Sequence, residues 1–324
     1  MRLKSALRRG VAAAVIAGIV VSSGIPAYAV RWDIANGDIT VKAGDAEGKN
    51  RVSQGEKEDV EDTNTVITGE SKEHTVTIDT SGGKVDVTFD DLKIDVSGKT
   101  EVDGSGDGST RESNAAVTVQ GGGDATIELD GDNKLKSGSN NAGLEKNEQE
   151  SKGTLTIKDD KGKDGSLTAE GGAGGGAGIG GGAEKTGSNI TIQGGTIEAE
   201  GGFGGAGIGG GAERTGSNIT IRGGTVKAAG GAGAAGIGDG VGVRQPEIDQ
   251  DTPPSNPNNI IICGDAEVTA KAGSPMTDAK APAIGGGLVG EIPNDALSSG
   301  HNGSLTRYDS AGNKMEDYSY DRRT

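Results

Sequence analysis

Apolar and polar residues alternate along the chain in short runs, and these runs recur with a period of 29 residues. Residues 177–205 and 206–234 are two consecutive copies of one unit, with 22 of 29 positions identical. Each copy holds three alternating stretches separated by glycine-rich corners, and such alternation is typical of β-strands. A period this short predicts that one repeat forms one coil of a solenoid, with three short strands per coil.

The same alternation predicts which side chains point inward. The inward positions of the two copies are Ile179, Ile190, Ile192, Ile197 and Ala199, followed by Ile208, Ile219, Ile221, Val226 and Ala228. Equivalent side chains are expected to stack about 4.8 Å apart, so the predicted fold is an all-β parallel β-helix with a core of aliphatic ladders. A helical solenoid is excluded, because it would need apolar positions three or four apart and few glycines.

Weaker copies of the unit extend the predicted solenoid in both directions. Upstream, alternating stretches reach back to residues 38–41, and downstream the pattern closes at residues 283–287. We therefore predict a β-helix over residues 30–290. Proline and aspartate are concentrated within residues 241–258, which indicates a surface insertion loop.

The periodicity stops after Ile292, which leaves residues 291–324 as a separate C-terminal element. Residues 304–308 and 314–320, joined by a turn at 309–313, are predicted to form a hairpin. This hairpin is either a cap over the last coil or a flexible tail. A cap would meet a physical need, because an open solenoid end exposes unpaired strand edges.

The first 29 residues have the three parts of an export signal. Basic residues precede an apolar run at 11–21, and Ala27-Tyr28-Ala29 follows it. We expect cleavage before Val30 and a secreted, extracellular protein, either released or held at the cell surface. The uncharged run is short for a membrane span, and no later stretch is apolar enough, so no span is expected in the mature chain.

The charge of the chain excludes some partners. Without the signal, 28 basic and 48 acidic residues remain, which gives a net charge of −20. Nucleic acid is excluded as a partner, because binding its phosphates requires a basic surface. An acidic glycan would also be repelled unless a divalent cation intervened. A single cysteine, Cys263, excludes an internal disulfide framework.

One short segment has the spacing of a calcium loop. Asp103, Ser105 and Asp107 alternate with glycines and place oxygen ligands at every second position, an arrangement that Ca²⁺ favours. We expect these three residues to hold Ca²⁺ if the chain uses a metal. The alternative is an acidic flexible loop, since the segment lacks the closing acidic residue and the flanking helices of an EF-hand.

The outward positions of the repeat also form columns. Asn189, Asn218 and Asn259 are predicted to bond to one another along the stack, a structural role. A functional interpretation treats the outward polar groups as an array that matches a repeating polymer. The candidate carbohydrate contacts are Thr191, Thr220, Gln193, Arg222 and Phe203, of which Phe203 is the aromatic expected to be exposed at a glycine-rich corner.

Catalytic groups do not form a recognisable set in the sequence. A nucleophile beside a base, a histidine cluster and paired carboxylates are not evident. Arg222, Lys227 and Asp239 are the residues that a calcium-dependent polysaccharide lyase would draw on, but their spacing does not require that chemistry. We therefore expect a non-catalytic protein and keep the lyase as an alternative.

Two segments resemble the repeat of exported carbohydrate-binding-domain proteins of Gram-positive bacteria. They are TGSNITIQGGTIEAEGGFGGAGIGGG and TGSNITIRGGTVKAAGGAGAAGIGDG, and VDVTFDDLKIDV with Ala115-Ala116-Val117 resembles the upstream coils. The resemblance implies a right-handed parallel β-helix, similar to polysaccharide lyases, that binds plant or cell-surface polysaccharide, in some members with Ca²⁺. The leading hypothesis is multivalent polysaccharide binding along one face of the rod. A structural or adhesive surface protein that packs through its glycine-rich face is the alternative of another class.

Overall fold

The computed structural model describes residues 30–98, 114–161, 164–243, 258–276, 281–286, 290–291 and 302–315. Within these ranges the chain is a parallel β-helix of three faces, with one short 3-10 helix at Ile34–Asn36. Residues 1–29, which include the predicted export signal, lie outside the described residues, as do Asp103, Ser105 and Asp107.

Three faces carry the strands, which are numbered here in chain order. The first face contains β1 (Arg31–Asp33), β5 (Val66–Ser71), β7 (Val85–Asp95), β9 (Ala125–Asp130), β12 (Leu155–Lys158), β15 (Gly187–Ile192), β18 (Gly216–Ile221) and β21 (Ile260–Ile262). The second contains β10 (Asp132–Lys136), β13 (Ser166–Glu170), β16 (Thr196–Glu200), β19 (Thr225–Ala229), β22 (Glu267–Lys271) and β25 (Ser304–Tyr308). The third contains β2 (Ile39–Ala43), β6 (Val76–Asp79), β8 (Val117–Gln120), β11 (Leu144–Glu145), β14 (Ile179–Gly180), β17 (Ile208–Gly209), β20 (Ile237–Gly238) and β23 (Ile284–Gly286).

Each 29-residue repeat forms one coil of three strands, as the alternation predicts. Successive coils pair in parallel with the predicted register: Ile179 lies beside Ile208, Ile190 beside Ile219, and Ile197 beside Val226. All ten predicted inward side chains are buried, with no more than 2% of their surface exposed. Full burial of an aliphatic side chain is worth roughly 1.5–3 kcal/mol, so these ladders are the main stabilising element of the rod.

Glycine is required at the last residue of three short strands of the third face, β14, β17 and β20. Gly180, Gly209 and Gly238 have φ of 134°, 139° and 129°, a conformation that side-chain-bearing residues rarely adopt. A Cβ at any of the three would lie 2.0–2.1 Å from a glycine carbonyl oxygen of the next coil. The glycines therefore allow neighbouring coils to approach at hydrogen-bonding distance.

The predicted asparagine ladder is present at the entrance to the first face. Asn218 Nδ2 donates to Asn189 Oδ1 at 3.1 Å, and Asn259 Nδ2 donates to Asn218 Oδ1 at 2.8 Å. All three asparagines are left-handed, with φ of 56°, 51° and 49°. Asparagine tolerates this conformation better than most residues, so the ladder both turns the chain and links the coils.

An antiparallel hairpin, which was not predicted, completes the N-terminal end. β3 (Asn50–Gln54) pairs with β2, and β4 (Lys57–Asp62) pairs with β3. Trp32 is buried at this end, and its Nε1 donates to Asp62 Oδ2 at 2.7 Å. The hairpin presents a polar and mostly exposed last strand, which protects the sheet from pairing with another chain.

The C-terminal element differs from its prediction in one respect. Residues 304–308 form β25, which runs parallel to β22 and so adds a strand to the second face beyond residue 290. A turn then returns the chain to Lys314, which bridges Tyr308 in the antiparallel direction. The first arm of the predicted hairpin is therefore a solenoid strand, and residues 316–320 of its second arm lie outside the described residues. β24 (Gly290–Glu291) pairs antiparallel with β23.

Both ends of the predicted insertion loop also belong to the solenoid. Val241 donates its N–H to Gly204 O at 2.8 Å, and its carbonyl accepts from Glu213 N at 2.7 Å. Asn258 is 2% exposed, and its Nδ2 donates to Gly216 O at 2.7 Å. The insertion is thus shorter than 241–258, because hydrogen bonds tie these two residues to the coils.

Candidate functional site

A column of polar side chains follows the outer surface of the first face, here called the threonine face. Outward positions alternate with the buried ladders, and threonine suits them because its branched Cβ favours extended backbone. The strand registers place six residues in one line: Asp86, Thr126, Thr156, Thr191, Thr220 and Ile261. Four consecutive coils therefore each present a hydroxyl, about 4.8 Å from the next.

The N-terminal half of the threonine face is a groove of about 460 Å³. Its floor is the threonine column, and its wall is the loop before β5, which contributes Thr63, Asn64 and Thr65. Further threonines, Thr88 and Thr154, line it as well. Hydroxyl and amide groups can each donate and accept hydrogen bonds, so the groove suits a ligand that is rich in hydroxyl groups.

A buried carboxylate anchors one edge of this groove. The Glu128 side chain is 5% exposed, and its Oε1 accepts hydrogen bonds from the N–H groups of Asp160 and Lys161, each at 2.8 Å. Its Oε2 lies 3.3 Å from Lys158 Nζ. The hydrogen bond from Lys158 to Asp160 raises the pKa of this lysine, so the ammonium stays charged at neutral pH. The groove edge is therefore held by the contacts of Glu128, next to the threonine hydroxyls.

Four of the five predicted carbohydrate contacts lie on this face. Gln193 lines the groove, Thr191 and Thr220 continue the column beyond it, and Arg222 is exposed directly after β18. Phe203 lies apart from them, on the connection between β16 and β17, and 58% of its surface is exposed. Phe203 is therefore exposed as expected but is not part of this site.

Other groove residues were missed, and only some of them carried a usable signal. The alternation of residues 125–130 places Glu128 outward, so its position on this face could have been found from the sequence. Thr63 and Thr65 could not, because nothing local indicates that their loop stands beside β7. The wall of the groove depends on packing between segments that are distant in sequence.

The three residues considered for a lyase do not converge. Arg222 follows β18 on the threonine face, Lys227 points outward from β19 on the second face, and Asp239 is fully buried. Asp239 Oδ1 accepts a hydrogen bond from Gly216 N at 2.9 Å, a structural contact. Asp239 therefore lies in the interior, whereas Arg222 and Lys227 are exposed on different faces.

A buried polar corner lies between the third and first faces. Glu145 Oε2 accepts from Ala142 N at 3.1 Å, and its Oε1 accepts from Asn147 Nδ2 at 3.0 Å. Burial raises the pKa of Glu145 to about 7. Lys146 Nζ donates to Ser151 O at 3.1 Å, and burial lowers the pKa of this lysine to about 8. Both groups are shielded from solvent, so we assign them to the interior and not to a binding surface.

Among the described residues, no group of three or more histidine, cysteine, aspartate or glutamate side chains is placed to hold a metal ion. The predicted calcium segment at 103–107 lies outside the described residues. Within the same part of the chain, no helix has the length and apolar character needed to cross a membrane.

Comparison with known proteins supports the architecture. The family model described as "Beta helix repeat" matches residues 190–212 and 219–241. Both matches begin at the isoleucine after a ladder asparagine, so they cover equivalent parts of two successive coils. Neither the curated proteins nor the solved structures give a significant match. The chain is thus similar to β-helix repeat proteins over these two segments.

Proposed function

We propose that this protein is an exported, non-catalytic binder of polysaccharide, and that the threonine face is its binding surface. The observation that carries the proposal is the column of hydroxyls at a constant spacing that opens into the threonine-lined groove. A polymer of sugar units lying along the rod could meet equivalent groups in each coil. Many weak hydrogen bonds along one chain then act together, because each bound unit raises the effective concentration of the next.

Calcium enters the proposal through Asp103, Ser105 and Asp107. If these residues hold Ca²⁺, the ion would reduce the repulsion between the acidic protein and an acidic glycan. The assay described below is therefore run with and without EDTA.

The glycine-rich surface does not require a partner to explain it. The close approach of coils at Gly180, Gly209 and Gly238 accounts for glycine at these corners. We accordingly rank the structural or adhesive role below polysaccharide binding.

The test is retention of the purified chain on a panel of insoluble neutral and acidic polysaccharides, with and without EDTA. A double variant, Thr156→Val and Thr191→Val, removes two hydroxyls and keeps side-chain shape and β-preference. Each lost hydrogen bond is worth about 1 kcal/mol, so we expect binding about tenfold weaker or worse.

Thr118→Val is the matched control, because Thr118 points outward from β8 on the third face and is half-buried like the other two. Its binding should equal that of the unmodified chain. Lack of retention on every glycan, with or without EDTA, would refute polysaccharide binding. An equal loss in the control would refute the assignment to the threonine face.

A further inference from the structure

A second groove, of about 540 Å³, lies on the outer surface of the second face near the C-terminal end. One column of outward residues forms its length, because the registers align Glu170, Glu200, Ala229, Lys271 and Tyr308. Ala229 is the smallest of them and stands between two long side chains. The surface therefore dips at Ala229, and the dip is the apolar floor of the groove.

The closed end of this second groove is built by Tyr308 and the turn that follows it. Asp309 accepts hydrogen bonds from Asn313 N at 2.8 Å and from Asn313 Nδ2 at 3.0 Å, while its own N–H donates to Asn313 O at 3.0 Å. Gly312 has φ of 84° in this turn and lines the groove. A fourth hydrogen bond, from Gly312 N to Asp309 O at 3.0 Å, also holds the turn, which keeps the half-buried Tyr308 ring at the end of the floor.

Charges in the second groove balance one another, although the chain is strongly acidic. Glu198 pairs with Lys227, and Glu170 pairs with Lys136, each at 2.8 Å. Glu200 and Lys271 have no ion pair within the described part of the chain. They flank Ala229, one coil away on either side, so a free carboxylate and a free ammonium stand about 10 Å apart across the apolar floor.

We propose that this second groove binds an uncharged oligosaccharide, with one sugar ring stacked on Tyr308. A pyranose ring combines an apolar face with an edge of hydroxyl groups, and the groove offers an aromatic ring and an alanine floor beside one acceptor and one donor. Glu200 accepts from the hydroxyls at one end, and Lys271 donates at the other. The balanced charge favours a neutral ligand over an acidic one.

This inference rests on polysaccharide as the ligand class of the proposed function, but it uses a different face and its own residues. The two can therefore fail separately. If only the threonine face binds, the variants described next will leave binding unchanged.

The experiment is calorimetric titration of the full chain with neutral tetrasaccharides of glucose, mannose, xylose and galactose. Tyr308→Ala should weaken binding at least tenfold, while Tyr308→Phe should stay within about threefold, because stacking needs the ring and not the hydroxyl. Ala229→Gln should also abolish binding by filling the floor. This position carries glutamate in the preceding coil, so a long side chain fits the fold there.

Two controls separate the second groove from other surfaces. Phe203→Ala removes an exposed aromatic ring from a different corner, and Thr118→Val alters the third face; neither should change tetrasaccharide affinity. Unchanged affinity in both Tyr308→Ala and Ala229→Gln would overturn the proposal. So would the absence of binding to every neutral tetrasaccharide, or binding restricted to acidic glycans and lost at high salt.

Discussion

Replacing Gly209 by alanine should destabilise the protein by about 4 kcal/mol. Gly209 has φ of 139°, and a non-glycine residue held in such a region costs about 1–3 kcal/mol. The new Cβ would also lie 2.0 Å from the carbonyl oxygen of Gly238, which accepts a hydrogen bond from Gly210 N at 2.9 Å. Moving that carbonyl away breaks the bond in a buried corner, which costs about 1–3 kcal/mol more.

Urea denaturation followed by far-UV circular dichroism measures this effect. With a slope of about 3 kcal/mol/M, a loss of 4 kcal/mol lowers the midpoint by about 1.3 M. Trp32 is the only tryptophan and is buried at the N-terminal end, so its fluorescence shows whether the loss in the central coils reaches the end of the rod.

Gly122→Ala is the matched control. Gly122 is exposed, and nothing lies within 4 Å of the position of its added Cβ. The control should be neutral or more stable by up to about 1 kcal/mol, since alanine restricts the unfolded chain. A midpoint for Gly209→Ala within about 0.2 M of the unmodified chain would refute the argument that these corners require glycine.

Three further outcomes follow from the described contacts. Asn218→Gly removes the ladder hydrogen bonds but tolerates the left-handed backbone, whereas Asn218→Ala removes the bonds and also disfavours that backbone. The urea midpoint should therefore be highest for the unmodified chain, lower for the glycine variant and lowest for the alanine variant. A lower midpoint for the glycine variant than for the alanine variant would contradict this. Burial raises the pKa of Glu145 from 4.5 to about 7, so between these pH values the folded state binds more protons than the unfolded state. The free energy of unfolding should therefore fall by about 3 kcal/mol as the pH rises from 4.5 to 7. Lys146, with a pKa lowered to about 8, does not make stability depend on pH below that value. Glu145→Gln should therefore flatten the plot of unfolding free energy against pH, measured by urea denaturation from about pH 4.5 to 7.5. An unchanged slope of that plot would contradict the assignment. Phe203→Ala should shift the thermal midpoint by less than about 2 °C, because a side chain this exposed contributes little to stability.

The repeated coils could be predicted in detail because their information is local. Each inward isoleucine appears at the same place in the next copy, so alternation and period together specify both the face and the register. The ladder asparagines were predicted for the same reason, although their left-handed backbone was not.

The ends of the rod could not be predicted fully, because their strands depend on contacts between segments that are distant in sequence. Residues 57–62 are almost all polar, so they carry no alternation, and they form β4 only because β3 offers a free edge. The run at 304–308 indicated a strand, but its parallel pairing with β22 is set by packing across more than thirty residues of chain.

In the candidate sites, too, the repeated parts could be predicted from the sequence and the irregular parts could not. The column through Thr191 and Thr220 follows from the repeat, whereas the loop at 63–65 and the turn at Gly312 that shape the two grooves do not. A groove needs a wall, and in this molecule each wall comes from an irregular segment.

The identical register of successive coils makes the length of the rod adjustable. Because Val226 and Ala228 on one strand meet Val268 and Ala270 on the next, just as Ile197 and Ala199 meet Val226 and Ala228, a whole 29-residue unit can be removed or duplicated without changing the kind of contact at any junction. Recombination between the near-identical copies would yield proteins with more or fewer coils, all with the same ends. Because Glu200 lies in the first copy and Ala229 in the second, the second groove would then lengthen or shorten in steps of one coil.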